Sequence, residues 1–250
     1  MNRIQFYGSK FVEPIAQFLA AVRVPMRVRG SRAQLGTSLA SVAELAEKHF
    51  AGELRGHICE STLVSALDAL EGEPALILET GSSAWGTNSS IFFDGYVNIF
   101  GGSFWTVDNR PLPMFTLGKL MSPASLAICD DSVRFLSSWV TSHPNSRATL
   151  VYLDSWDLDL RDPLAAAIHG LREFFAIQPA LASGSVLVVD DTPRNCDYFE
   201  GEMRELAEAW HHETGLVPGK GTLIVKLLES DPRYIKIAHE YQVVFRYEGE

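Results

Sequence analysis

Two carboxylate clusters, Leu153-Asp154-Ser155-Trp156-Asp157 and Val189-Asp190-Asp191-Thr192-Pro193, each follow a short apolar run. Brought to one rim, three or four acids repel one another unless a cation, a proton or a basic group joins them. An all-oxygen set of this kind suits a hard divalent cation such as Mg2+, usually with waters retained. The alternative leaves Asp157 and Asp159 in solvent and Asp191 capping a loop.

Earlier apolar runs end in further groups able to hold a ligand. The segment Glu79-Thr80-Gly81-Ser82-Ser83-Ala84-Trp85-Gly86 is an acid followed by a glycine-containing turn. Gly81 and Gly86 let the main chain approach a ligand, and Glu79 can accept hydrogen bonds from an amine or a hydroxyl. The spacing does not match G-x-G-x-x-G, which argues against a dinucleotide fingerprint. Asp108 lies about 20 residues or more beyond this turn, where a ribose is held through its hydroxyls; capping of the helix after Pro111 is the alternative. Asp131-Ser132 opens an amphipathic stretch, where capping and ligand binding are both open.

These residues need a scaffold that gathers strand ends. Residues 75–79, 104–107, 125–129, 149–153, 186–189, 222–227 and 241–247 read as strands, with helices over 112–120, 132–140, 163–177 and 199–212. Such alternation predicts an α/β fold with a mostly parallel sheet, helices on both faces and an antiparallel pair, 222–227 with 241–247, at one edge. Ligands of such sheets sit beyond the carboxyl ends of the strands, so the acids converge on one rim. Residues 1–73 read as an N-terminal helical extension, with helices near 11–22, 38–50 and 59–70 and a capping box of Ser41 and Glu44. Residues 74–250 form the main domain.

Composition narrows the partners. With 31 acids against 21 bases the formal net charge is −10, which offers no bulk attraction for nucleic acid or anionic lipid. No apolar stretch is long enough for a membrane span. Cys59, Cys129 and Cys196 lack any C-x-x-C spacing and fit reduced thiols in a cytoplasmic protein.

The ordered set of strand-end groups resembles the class I S-adenosylmethionine-dependent methyltransferases, and within them the metal-dependent O-methyltransferases related to macrocin O-methyltransferase. The resemblance covers about residues 75–247. The group's first motif reads approximately E-T-G-x-x-x-G-G-x-S; Glu79-Thr80-Gly81 and Gly86 fit it, while Trp85 replaces the first glycine of the pair. The resemblance implies a Rossmann-like sheet and S-adenosyl-L-methionine held by Glu79, Gly81, Ser83, Gly86, Asp108, Asp131 and Ser132. It implies Mg2+ on Asp154, Asp190 and Asp191. The family's second acid after strand four falls at Trp156 here, with Asp157 one residue on. The implied reaction is in-line methyl transfer to a hydroxyl of a small-molecule or saccharide acceptor, with the metal lowering the hydroxyl pKa. Asp154 is the first candidate for the base and His169 the second. The extension would contribute to the acceptor pocket or to a homo-oligomer contact. Two other readings are a different, hydroxylase-like metal enzyme on the same fold, and a non-catalytic cofactor-binding or partner subunit.

Three further signals carry less. Residues 215–222 look like a phosphate loop, but the glycine spacing is one short and Gly221 stands where a hydroxyl residue is needed. Lys220 within it is a candidate counter-charge for the acidic rim. His211 and His212 are adjacent on one helix and diverge by about 100°, and Phe92, Phe93, Tyr96, Phe100, Phe104 and Trp105 read as core packing.

Overall fold

The computed structural model describes residues 25–32, 39–82 and 87–249. The expected helix near 11–22 lies outside them, as do Ser83, Trp85 and Gly86. The strands are β1 (Met26–Arg29), β2 (Ala75–Thr80), β3 (Gly102–Asp108), β4 (Ser125–Cys129), β5 (Leu150–Leu153), β6 (Val186–Val189), β7 (Tyr234–His239) and β8 (Val243–Tyr247). The α-helices are α1 (Val42–His49), α2 (Glu60–Asp68), α3 (Ser89–Phe100), α4 (Pro111–Leu120), α5 (Ser132–Ser142), α6 (Pro163–Ile177), α7 (Gly201–Thr214) and α8 (Thr222–Leu228).

All eight strands join one sheet in the order β1-β4-β3-β2-β5-β6-β8-β7. The five central strands are parallel, with Ile77 of β2 flanked by Phe104 on one side and Leu150 on the other. β1 and β8 run antiparallel to their neighbours β4 and β6. Because a strand turns alternate side chains to opposite faces, Ile77, Leu150, Tyr152, Val186 and Val188 enter one apolar layer and Leu78, Val151, Leu153, Leu187 and Val189 the other. The first layer is closed by α1, α2, α3 and α4, the second by α5, α6 and α8. Phe92, Phe93, Tyr96 and Phe104 are fully buried in the first, which is the packing role their clustering suggested.

The structure corrects two expectations about the edges. Residues 222–227 are helical, in α8: an unbroken apolar run cannot be assigned by periodicity alone, and Ile224 and Leu228, four residues apart, bury together against Phe174 of α6. The antiparallel partner of β8 is instead β7, Tyr234–His239, in which exposed Lys236 interrupts the apolar residues. The segment expected to be helical also holds a strand, β1, in which Met26 and Val28 pack on the core while Arg27 and Arg29 face solvent. Ser41 does cap α1, its Oγ accepting from Glu44 N at 3.2 Å, and the Glu44 carboxylate reaches back to Ala40 N at 2.7 Å.

Candidate active site

The strand order reverses between β2 and β5, the point at which sheets of this kind open a crevice beyond the strand ends. A cavity of about 390 Å³ lies there, bordered by Gly81, Asp108, Ser132, Asp154, Asp191 and Lys220. A larger cavity, about 490 Å³, lies between α1 and α3; it touches none of the strand-end acids, and the acid that lines it is Asp94 of α3. The first is the one with chemistry in it.

Gly81 makes the crevice possible. Its φ is +72°, and a Cβ there would lie 2.2 Å from the Asp154 carbonyl oxygen, so only glycine lets β2 end against the β5 loop. Asp154 N donates to Thr80 O at 2.9 Å, fixing the two strand ends together. Glu79, one residue before Thr80, does not line the cavity. It is fully buried and accepts from Ser89 Oγ at 2.6 Å and Ser90 Oγ at 2.5 Å, which ties β2 to the start of α3. Burial pushes its carboxyl up to about 7, against the two serine hydroxyls that favour the charged form.

Asp108 ends β3 and is buried. Its Oδ1 accepts from Arg110 N and Nε, both at 2.8 Å; its Oδ2 accepts from Arg110 Nη2 at 2.6 Å and, more distantly, from Ser82 N and Oγ. Arg110 is a site residue that sequence reasoning missed. Asp131 caps α5, accepting from Arg134 N at 2.8 Å, and still borders the cavity. Ser132 Oγ lies 3.1 Å from His169 Nε2, which is 2.9 Å from Ser155 Oγ; Ser155 in turn donates to the buried Glu173 at 2.5 Å. Trp156, with a φ of +65°, lays its ring over the His169 imidazole with centroids 5.1 Å apart. His169 therefore stands among Ser132, Ser155 and Trp156.

Asp154, Asp190 and Asp191 come together as the sequence predicted, each offering a carboxylate oxygen within 4.8 Å of the others. Asp157 borders the cavity but stands outside this trio. Lys220 reaches into the cluster from the loop before α8, its Nζ 2.7 Å from Asp154 Oδ1 and 2.9 Å from Asp191 Oδ2. The expected counter-charge is thus a buried ion pair to two of the acids. Asp190 Oδ1 accepts from Gln242 Nε2 at 2.6 Å, and Asp191 Oδ1 from Tyr241 OH at 2.7 Å. Gln242 also donates to Tyr152 OH at 2.9 Å and accepts from Thr62 Oγ1 of α2 at 2.6 Å; the Cys59 thiol, just before α2, points at Asp190 from 3.9 Å. Thr62 of α2 and Cys59 just before it thereby border the acid cluster.

Desolvation and the neighbouring Asp190 push Asp154 well above the usual carboxylate range. Desolvation works against Asp190 too, but the Lys220 charge and the hydrogen bonds to Asp190 hold it low. Three carboxylates of this kind fit a hard divalent cation by their donor chemistry, although a lysine ammonium already rests on two of them.

No family model and no curated protein matches the sequence. Solved structures do match the fold. The MycE methyltransferase from the mycinamycin biosynthetic pathway, in complex with Mg, SAH and mycinamycin VI, aligns with a TM-score of 0.58 at 16% identity over 97% of this chain and 64% of that one. A second MycE structure, with Mg and SAH, gives 0.56 at 16% identity over 95% and 62%. The chain thus spans less than two thirds of MycE. CalS11, a calicheamicin methyltransferase, gives 0.51 at 13% identity over 97% of this chain and 95% of its own. The fold is the Rossmann-like one of these class I methyltransferases.

Proposed function

We propose that the chain is an S-adenosyl-L-methionine-dependent O-methyltransferase acting on a hydroxyl of a small molecule or saccharide. The observation that carries this reading is the convergence of Asp108, Asp131-Ser132 and the Asp154, Asp190, Asp191 cluster on one cavity of a methyltransferase fold. In this reading S-adenosyl-L-methionine supplies the methyl group as a sulfonium, and the surrounding acids favour its positive charge. Gly81 brings the main chain against it, Asp108 accepts its ribose hydroxyls, and Asp131 with Ser132 borders its adenine.

Asp154, Asp190 and Asp191 are the residues to hold Mg2+, which would act as a Lewis acid on the acceptor hydroxyl. Asp154, at the end of β5 and bordering the cavity, is the first candidate for the proton acceptor. His169, with Nε2 within hydrogen-bond reach of Ser132 Oγ and Ser155 Oγ, is the second candidate for the base. Cys59, Cys129 and Cys196, far apart and without C-x-x-C spacing, fit placement in the cytoplasm. Among the described residues no helix is long and apolar enough to cross a membrane. The acid excess argues against nucleic acid as partner.

The test is calorimetric titration with S-adenosylmethionine and S-adenosylhomocysteine, with and without Mg2+. Binding that weakens in Asp108→Ala is expected. No binding of either compound at millimolar concentration overturns the proposal.

A further inference from the structure

Lys220 is not a surface lysine that happens to fold over an acid. Its side chain is 5% exposed, and its backbone is locked in place, with Lys220 N donating to Asp191 O at 2.9 Å and Gly221 N to Thr192 Oγ1 at 2.8 Å. The glycines on either side are required for that fit. A Cβ at Gly219 would lie 2.5 Å from Asp191 O, and one at Gly221 would lie 2.5 Å from Thr192 Oγ1. The loop thus lies directly on the Asp191 backbone and threads one cation into the carboxylates.

A protonated lysine is a donor with no lone pair to offer a metal. Asp154 and Asp191, two of the three carboxylates that would ligate a dication, already receive Nζ. Two cations on the same carboxylates repel each other, and neither can be screened well in a largely buried site. An ammonium removed from the cluster would leave three acids in need of another cation.

We propose that Lys220 is the built-in cation of this cluster, and that its ammonium and a divalent metal ion exclude each other, so that metal enters only as Lys220 leaves Asp154 and Asp191. The inference rests on the metal-assisted reading above. In that reading Lys220 keeps the acids paired when metal is absent and sets a threshold for metal binding.

The experiment measures Mn2+ affinity by calorimetry on the wild-type chain, Lys220→Met and Lys220→Arg, without cofactor. Lys220→Met is expected to bind Mn2+ at least about tenfold more tightly than wild type, while Lys220→Arg, which keeps the charge, stays near wild type. Equal or weaker affinity in a folded Lys220→Met, or no Mn2+ binding to any of the three, overturns the proposal. Amine labelling of the wild-type chain, read by mass spectrometry, decides the matter even where Lys220→Met does not fold. Labelling at Lys220 that rises on adding Mn2+ supports displacement, and unchanged labelling overturns it. Failure here with S-adenosylhomocysteine still bound removes only the Lys220 inference. A Lys220-dependent Mn2+ affinity with no cofactor binding removes the methyltransferase reading alone.

Discussion

Arg110 grips Asp108 with both prongs of its guanidinium, Nε on Oδ1 at 2.8 Å and Nη2 on Oδ2 at 2.6 Å. With Arg110 N and the Ser82 N and Oγ also donating, five donors crowd two oxygens that offer about four lone-pair sites. A ribose can reach this carboxylate only by replacing one of them, and the Arg110 side chain, 42% exposed, is the one free to move.

In the proposed reading, with Asp108 holding the ribose, Arg110 competes with the cofactor. Arg110→Ala should tighten S-adenosylhomocysteine binding by about 3-fold to 10-fold, whereas Asp108→Ala should weaken it more than about tenfold, since hydrogen bonds to a charged group are worth roughly 1.5–3 kcal/mol. Calorimetric affinities of the two variants check both signs. Weaker binding in Arg110→Ala would show instead that the guanidinium helps hold the ligand.

Glu79 should make stability depend on pH. Its carboxyl titrates near 7 in the folded chain, above the ordinary value of about 4.5, so the native state holds the proton more tightly than the unfolded one. This contribution is fully present below about pH 4.5 and is lost as pH rises through 7. The span is on the order of 3 kcal/mol. Glu79→Gln, which mimics the protonated form, should flatten that part of the profile in urea denaturation between pH 4.5 and 7.5, and an unchanged profile would refute the assignment.

How much of this was legible in the sequence depends on where each element sits. β2 to β6 are buried on both faces, so each is a short apolar run between polar residues, and the acids at their ends could be placed on one rim before any coordinates. β1 and β7 are edge strands in which Arg27, Arg29 and Lys236 interrupt the apolar residues, so neither forms the unbroken apolar run of the central strands. At the site, Asp154, Asp190 and Asp191 were visible because strand ends converge. Of their partners, Lys220 was foreseen as a counter-charge although it pairs with Asp154 across 66 positions, whereas Gln242, 52 positions from Asp190, left no local pattern. The one available signal was the Gly219-Lys220-Gly221 triplet, whose glycines mark a close backbone approach.

Gly81 should tolerate no side chain. At φ +72° alanine is strained, and its Cβ would meet Asp154 O at 2.2 Å; Gly184, at φ +88° with nothing within 4 Å, isolates the backbone part of that cost. Gly184→Ala should cost about 1 kcal/mol and Gly81→Ala at least about 3 kcal/mol, because the second must also push the β5 loop away. Urea denaturation of both variants measures the difference. Equal costs would mean that the β2 and β5 ends are not held as closely as the geometry shows.

α2 and the acid cluster should be energetically coupled through Gln242. This side chain is fully buried, accepts from Thr62 Oγ1 of α2 at 2.6 Å and donates to Asp190 Oδ1 at 2.6 Å. Gln242→Leu removes the Thr62 bond, leaving that hydroxyl the Cys59 carbonyl at 3.0 Å as its acceptor, and takes a donor from Asp190 and from Tyr152 OH, at a cost of about 2–3 kcal/mol. Thr62→Val removes only the first of these bonds, so the two changes share one interaction and cannot add. A double-mutant cycle in urea should return a coupling of about 1 kcal/mol between Thr62 and Gln242. Metal titration of Thr62→Val carries the argument to the site: loosening Gln242 from α2 should weaken Mn2+ binding although Thr62 touches no carboxylate. Additive stabilities together with an unchanged Mn2+ affinity would show that α2 packs beside the site without supporting it.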